Sequence, residues 1–445
     1  MDRMNLSFRF PALCLALALI SSATLLAENA PPPMSALVQA NNRFALEIFR
    51  QVGSNAAENS ILSPYSISTA LAMTWKGAKG DTAAQMAETF HLSELPEDQV
   101  TPAFAALRAA LAQAQAATGA KLLLANSLWP EQNPENPFLP QYLQTVQKDF
   151  TSGLFPVDFK HQAKAATAQI NNWVDGKTEH KIKDMLHAID ITSETRLVLV
   201  NAIYFKGVWM TPFESRLTRT DKFHLADGSA KPVSLMVNTF EAYQVRFADI
   251  TNGNIPCQVL SLGYLERSVS GRAGSSTAGP GISFLVVLPR AAGDLGALEQ
   301  SLTADQLAGW VSQLAATRLE VFLPKFKIEQ RFSLGDNLST LGVVNAFVDP
   351  EQLPPGDPNG ADFSGMDGAH DLHISKVIHQ AYVAVDETST EAAAATAGVI
   401  AAPGAARPPP PPPVFRADHP FLFFIRENST GSLLFMGRLA SPPAN

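Results

Sequence analysis

The chain is nearly without cysteine. Cys14 and Cys257 are the two cysteines among 445 residues, and Cys14 lies in an N-terminal apolar run that reads as a removable leader. Cys257 then stands alone, which excludes an intramolecular disulfide and a paired-cysteine zinc site. Catalytic signatures are missing as well: there is no G-x-S-x-G elbow, no H-E-x-x-H and no G-x-x-x-x-G-K-[ST]. Positive charge is short, with 33 Lys and Arg against 41 Asp and Glu and a formal net charge of -8. That argues against nucleic acid or an anionic membrane as the main partner. Beyond the leader, no apolar run approaches the length of a spanning helix. The expectation is a soluble monomer that is not an enzyme and needs no cofactor or metal.

What is present begins with the leader. Arg3 and Arg9 flank a short polar start, Phe10–Ile20 is apolar, and Ser21–Ala27 supplies small residues suited to cleavage. Residues 1–27 therefore read as a secretory signal peptide, too short to span a bilayer. Cys14 follows Leu13 and not a small residue, which argues against a lipid anchor. An exported protein, secreted or periplasmic, is expected. Residues 28–36 read as a tether and residues 37–445 as a single domain. At roughly 415 residues the mature chain can build a large core without disulfides.

Helical periodicity starts near Leu37, with Phe44, Ile48 and Phe49 on the same face. In NSILSPYSISTALAMTW, Ser63-Pro64 makes a turn into a helix, where Ser63 and Ser66 read locally as caps. Ala120–Pro130 predicts a strand ending in a turn, Ala163–Lys183 a helix, and Arg196–Lys206 a strand interrupted by Asn201. A buried strand Asn must find partners or cost about 1–3 kcal/mol, so Asn201 implies polar neighbours in the core. Further strands are predicted at Lys222–Met236, Cys257–Tyr264 and Ile282–Pro289, and a helix at Leu295–Ala315. Glu266–Gly281 is a Gly/Ser-rich loop, and Arg318–Ile328 a strand broken at Pro324. Pro420–Arg426 and Ser432–Leu439 form an apolar hairpin.

Between the strand at Lys376–Val385 and the strands after Val414 lies ETSTEAAAATAGVIAAPGAARPPPPPP, Glu387–Pro413. Its small side chains bury too little apolar area to hold themselves in a core. Thr390–Ala402 nevertheless has no proline and no charge but Glu391, so it can enter a sheet. Pro408–Pro413 cannot donate to a ladder, and as polyproline II would form a strut of about 19 Å.

The hinge-like TEAAAATA, the NAIYFKGVWMTPF segment, the NSILSPYSIS segment, INNWVDGKTEHKI and the C-terminal hairpin are together similar to the inhibitory serpins, over nearly the whole mature chain. The resemblance implies an α+β fold: a large central, mostly antiparallel sheet, two smaller sheets, about eight to nine helices and an exposed reactive-centre loop at 387–413. It implies a suicide substrate for serine or cysteine proteases, whose acyl-enzyme is trapped when the cleaved loop inserts between Arg196–Lys206 and Lys376–Glu387. Carried over residue by residue, the hinge is Glu387, Ser389, Thr390, Glu391, Ala392, Ala393, Ala394, Ala395 and Thr396. A latch under the sheet comprises Ser63, Ser66, Asn201 and His379, with Trp209 at the mouth where insertion begins. Counting from Glu387 puts the cleaved bond at Pro403–Gly404; the Ala-Ala-Pro sequence itself suits an elastase-like or prolyl-preferring protease and would allow Gly404–Ala405. Ser389 departs from the family's usual Gly, which predicts slower insertion. A non-inhibitory serpin, acting as a binding or chaperone-like protein, is the alternative; bulky, charged or proline hinge residues would favour it. His370 and His373, in HDLH, read as a solvated loop pair.

Overall fold

The computed structural model describes residues 32–150, 152–265, 281–354, 357–389 and 411–443. In chain order the strands begin with β1 (Ser60–Leu62), β2 (Lys121–Pro130), β3 (Gly153–Leu154), β4 (Leu197–Lys206), β5 (Arg219–His224), β6 (Ala230–Phe240), β7 (Val245–Asn252) and β8 (Ile255–Gly263). There follow β9 (Ile282–Pro289), β10 (Ala315–Ala316), β11 (Leu319–Pro324), β12 (Phe326–Ser333), β13 (Ile374–Val385), β14 (Val414–Arg416), β15 (Phe421–Glu427) and β16 (Leu433–Leu439). A seven-stranded sheet, β1-β16-β15-β9-β8-β7-β10, is antiparallel throughout. A four-stranded sheet runs β14-β11-β6-β5, and a five-stranded one β12-β13-β4-β2-β3. Inside the last, β13 and β4 run parallel, flanked by antiparallel β12 and β2.

Ten α-helices surround the sheets among the described residues: α1 (Pro32–Val52), α2 (Pro64–Trp75), α3 (Gly80–Thr89), α4 (Glu97–Thr118), α5 (Pro140–Asp149), α6 (Phe159–Lys177), α7 (Leu295–Ser301), α8 (Ala304–Gln313), α9 (Gly335–Leu341) and α10 (Ser364–Asp367). This is the α+β class with three sheets. The helix count exceeds the eight or nine expected because short pieces such as α10 form separately.

Both faces of β4 are covered, and its side chains show how. Leu197, Leu199, Ile203 and Phe205 join the large core with α2, while Val198, Val200 and Ala202 join a second cluster under α6. Alternation with period two sends successive residues to opposite faces. All of α2 is buried, as befits a helix apolar nearly all round. Pro64 starts it without wasting a donor, and Ser63 Oγ accepts from the Ser66 N–H at 3.3 Å.

Several boundaries differ from expectation, each for a local reason. Helix α1 begins at Pro32, inside the segment read as a tether. Helix α6 stops at Lys177, not Lys183, because Glu179 and His180 turn left-handed (φ 50° and 62°) while Thr178 Oγ1 accepts from the Ile182 N–H. Lys222–Met236 is a hairpin: Asp227-Gly228, with Gly228 at φ 83°, turns β5 into β6. Thr303 divides the helix expected at Leu295–Ala315 by capping α8 through a reciprocal bond pair with Gln306. Pro324 does end a strand, and it sends β11 and β12 into different sheets. Ile282–Pro289 and the C-terminal hairpin fall where expected.

Candidate functional site

A row of three polar side chains crosses the middle of the five-stranded sheet. In register, Asn126 of β2 lies opposite Asn201 of β4, which lies opposite His379 of β13. Asn201 sits on the face that carries Leu199 and Ile203, turned toward α2. There its Nδ2 donates to Ser66 Oγ and to Asn126 Oδ1, both at 2.6 Å. Ser66 Oγ donates to Asn126 Oδ1 at 2.8 Å. The imidazole of His379 bonds Asn201 Oδ1 through Nδ1, and its Nε2 accepts the Ser63 N–H at 3.1 Å. Because Nε2 accepts, the proton resides on Nδ1. Ser63 Oγ in turn donates to Leu434 O at 2.5 Å, tying the row to β16.

None of these groups sees solvent to speak of: Ser63, Ser66 and His379 are 0% exposed, Asn201 1% and Asn126 6%. Burial pushes the His379 imidazole down to about 3, so it is neutral at any physiological pH. The network thus satisfies polar groups that would otherwise each cost about 1–3 kcal/mol in the core. It also fastens β4 to β13. The four latch residues inferred from sequence are brought together here. Asn126 was missed, although the same signal marks it: an amide in the middle of the apolar run Ala120–Pro130.

At the end of the β4–β13 seam the chain turns sharply. Asp386 Oδ1 accepts from the N–H groups of Thr388 and Ser389 at 3.0 and 2.9 Å, and the Asp386 N–H donates to Ser389 O at 2.9 Å. Ser389 then forms an antiparallel bridge with Val208, just past β4. Trp209 is wedged here, 2% exposed. Its indole N–H donates to Asp386 O at 2.8 Å, and its ring stacks on Tyr264 with centroids 4.9 Å apart and planes 8° from parallel. Trp209 N and Phe213 N donate to Thr388 O and Glu387 O.

The Glu387 carboxylate accepts from Lys325 Nζ at 2.9 Å and Thr218 Oγ1 at 3.0 Å. Burial would raise its pKa, but these two bonds prevail and hold it below the ordinary carboxylate value. Ser389 is 0% exposed, and its Oγ has no hydrogen-bond partner among the described residues. Thr390, Glu391, Ala392–Ala395, Thr396, Pro403 and Gly404 lie outside the described residues, as do the 266–280 stretch and Pro408–Pro410. The histidine pair is not uniformly solvated: His373 is 9% exposed, enclosed near Asp349 and Ser375.

The site thus consists of two parallel strands clasped from below by a buried polar row, with a tied turn at their mouth. The chain belongs to the serpin family: the model described as Serpin (serine protease inhibitor) matches residues 39–442. Leukocyte elastase inhibitor of Homo sapiens is 38% identical over 416 residues, spanning 92% of this chain and 100% of that protein. Serpin B9 of Homo sapiens is 36% identical over 414 residues with the same coverage. Among solved structures, native protease nexin-1 with heparin is similar with a TM-score of 0.76 at 27% identity, over 92% of this chain and 100% of that one. The chain is accordingly a suicide-substrate inhibitor of serine proteases, trapping the acyl-enzyme by inserting its cleaved loop into the central sheet.

Export, however, is not supported. The leukocyte elastase inhibitors match along their whole length yet leave 8% of this chain unmatched, and the family match starts only at residue 39. The segment read as a leader, residues 1–27, lies wholly ahead of that family match. The expectation of a signal peptide and a secreted, extracellular or periplasmic protein is withdrawn on that ground.

Proposed function

We propose that the protein acts as a monomeric single domain, residues 37–445, against an elastase-like or prolyl-preferring serine protease. It is consumed as a substrate and does not turn over as an enzyme. The observation carrying this reading is the parallel β4–β13 seam, whose mouth ends in the turn at Asp386–Ser389. An antiparallel strand placed between two parallel neighbours gains a ladder on each side. About ten new bonds at ~1 kcal/mol each give a gross driving term ample to distort a tethered protease.

Both neighbours specify the same register. Continued antiparallel from the Asp386–Ser389 pair, the loop sets Thr396 opposite His379; continued from the Val208–Ser389 bridge, it sets Thr396 opposite Asn201. Those two residues are themselves register partners. The Thr396 hydroxyl would therefore enter the polar row where the Asn201–His379 bond now closes it, replacing that bond without leaving a buried orphan. Glu387, Ser389 and Thr390 through Thr396 serve as the hinge in this scheme, with Trp209 holding the mouth. Ser389, with its buried hydroxyl, slows entry compared with a glycine and does not abolish it.

The reactive bond is assigned to Pro403–Gly404, with Gly404–Ala405 for a strictly elastase-like enzyme. The Ala-Ala-Pro sequence before Gly404 supports that target class, as do the names of the leukocyte elastase inhibitors. Incubation with a panel of serine proteases should yield an SDS-resistant covalent complex with an elastase-like or prolyl-preferring member. The released C-terminal peptide should begin at Gly404 or Ala405 by mass spectrometry. Cleavage without complex for every protease would refute inhibition, and a peptide beginning at Pro408 would refute the assigned bond.

A further inference from the structure

The outer face of the five-stranded sheet, the one that carries α6, gathers lysines at the head of the β4–β13 seam, beside the turn. By the alternation along each strand, Lys121 of β2, Tyr204 and Lys206 of β4, Tyr382 and Ala384 of β13 and Lys327 of β12 belong to that face. Lys121 and Lys206 are direct register partners, as are Tyr204 and Tyr382, and Lys327 and Ala384. Like charges set opposite each other across a ladder repel, so this corner of the sheet favours added negative charge. Two carboxylates already share the face. Glu179 pairs with Lys121, while Glu329 accepts from Gln380 Nε2 at 3.1 Å and stands 4.0 Å from Lys327 Nζ. The rings of Tyr204 and Tyr382 lie 5.6 Å apart, and an ammonium group rests on each. Lys181 Nζ is 5.5 Å from the Tyr204 centroid and Lys327 Nζ 4.8 Å from that of Tyr382. These cation–π contacts hold both lysines toward the seam.

The segment that enters the seam brings a single charge: between Thr390 and Ala402 only Glu391 is ionised. In the register set by the Asp386–Ser389 and Val208–Ser389 pairs, Glu391 comes opposite Lys206 on one side and Ala384 on the other. The pleat that turns Thr396 toward the polar row turns Glu391 to the outer face. Its carboxylate then faces Lys206 across the new ladder, where directly opposite Cβ atoms are about 4.5–5.5 Å apart. On the other side the short methyl of Ala384 leaves the way open to Lys327 on the next strand. Ala393 falls opposite Tyr204 and Tyr382, a small residue where two rings must part to admit it.

We propose that Lys206, reinforced by Lys327 and Lys181, is the receiving site for the Glu391 carboxylate, and that this ion pair positions the hinge as it enters the sheet. The proposal rests on the insertion register given above. Glu391 is the second residue of the segment to enter, so the pair forms early, while hydrolysis of the acyl-enzyme still competes. It thereby speeds commitment to the trapped state. Both groups are positioning residues, since neither touches the bond that reacts.

The quantity to measure is the ratio of cleaved, uncomplexed inhibitor to SDS-resistant complex, with the serine protease of the panel above that gives the most complex. Lys206→Glu and Glu391→Lys should each raise this ratio about fivefold or more at low salt, because each sets like charges opposite one another. The double variant should return it to within about twofold of wild type, a rescue that a merely structural role of Lys206 would not give. Added salt should raise the ratio for wild type and leave that of Glu391→Gln unchanged. Glu391→Gln alters only the loop, so this comparison holds should Lys206→Glu fold poorly. Absence of rescue, or equal salt dependence in wild type and Glu391→Gln, overturns the ion pair while leaving inhibition intact. A second arm needs no protease. A synthetic peptide of residues 390–402 should anneal to the intact protein faster than the same peptide carrying Glu391→Lys, and the order should reverse on the Lys206→Glu protein. Equal rates for the two peptides refute the receiving site. Failure of the insertion reading shows differently, as no covalent complex from wild type with any protease.

Discussion

Acid should unfasten the latch, and His379 is the group that senses it. Its imidazole titrates at about 3 in the folded chain because burial excludes the charged form, against an ordinary value of about 6.5 in the unfolded chain. The folded pKa is the lower one, so the unfolded state binds the extra proton first. Stability is complete above pH ~6.5 and declines as pH falls from there toward 3. Two units into that window, at pH 4.5, the loss is about 2.7 kcal/mol at ~1.36 kcal/mol per unit. Protonation would also convert Nε2 from acceptor to donor and set it against the Ser63 N–H it now accepts. The assay is the first unfolding transition in guanidinium chloride at pH 7.5 and 4.5, for wild type and His379→Gln. Carboxylates titrate in both proteins and cancel in the comparison. Wild type should lose about 2–3 kcal/mol more than the variant between the two pH values, and should polymerise sooner on mild heating at the lower one. An equal loss in both proteins would refute the assignment of His379 as a buried, neutral clasp.

Asn126→Ala should destabilise the native form by about 1–3 kcal/mol, because Asn201 Nδ2 and Ser66 Oγ both lose their amide acceptor. A melting temperature within error of wild type would place Asn126 outside the latch. Thr390→Arg should convert the inhibitor into a substrate, since a guanidinium without a partner costs several kcal/mol to bury. Full cleavage, no SDS-resistant complex and little gain in thermal stability after cleavage are expected; complex formation at wild-type stoichiometry would show that the segment does not insert.

The parts of the fold legible in the sequence were those with a strong period or an isolated exception to one. The apolar run at Leu197–Lys206 marks a strand covered on both faces, and the lone amide in it points to polar company, which Ser66, Asn126 and His379 supply. Asn126 escaped notice because Ser127 follows it, and two polar residues before a Trp-Pro pair look like a strand running out into a turn. Boundaries set by side-chain capping were harder to see. Thr178 ends α6 and Thr303 divides α7 from α8 through bonds that no hydrophobic period records. His373 was misplaced for another reason: HDLH is polar as a string, yet the chain there is packed against the α6–β4 connection and Asp349.

The turn at Asp386–Ser389 makes the loop a ruler with its zero at the hinge. From Thr390 to Pro403 the inserted chain would reach about 43 Å at ~3.3 Å per residue, which sets how far from the hinge the cleaved end would come to lie. The ruler also has a parity. Removing one residue ahead of Thr396 shortens the reach by only one step, but it exchanges the two faces of every residue beyond. A threonine destined for the Asn201–His379 row would then face away from it, and an alanine would arrive in its place. Removing two residues restores the facing while moving the bond twice as far. On the proposed register, therefore, even-numbered changes in loop length would keep the facing of the inserted strand and odd-numbered ones would reverse it.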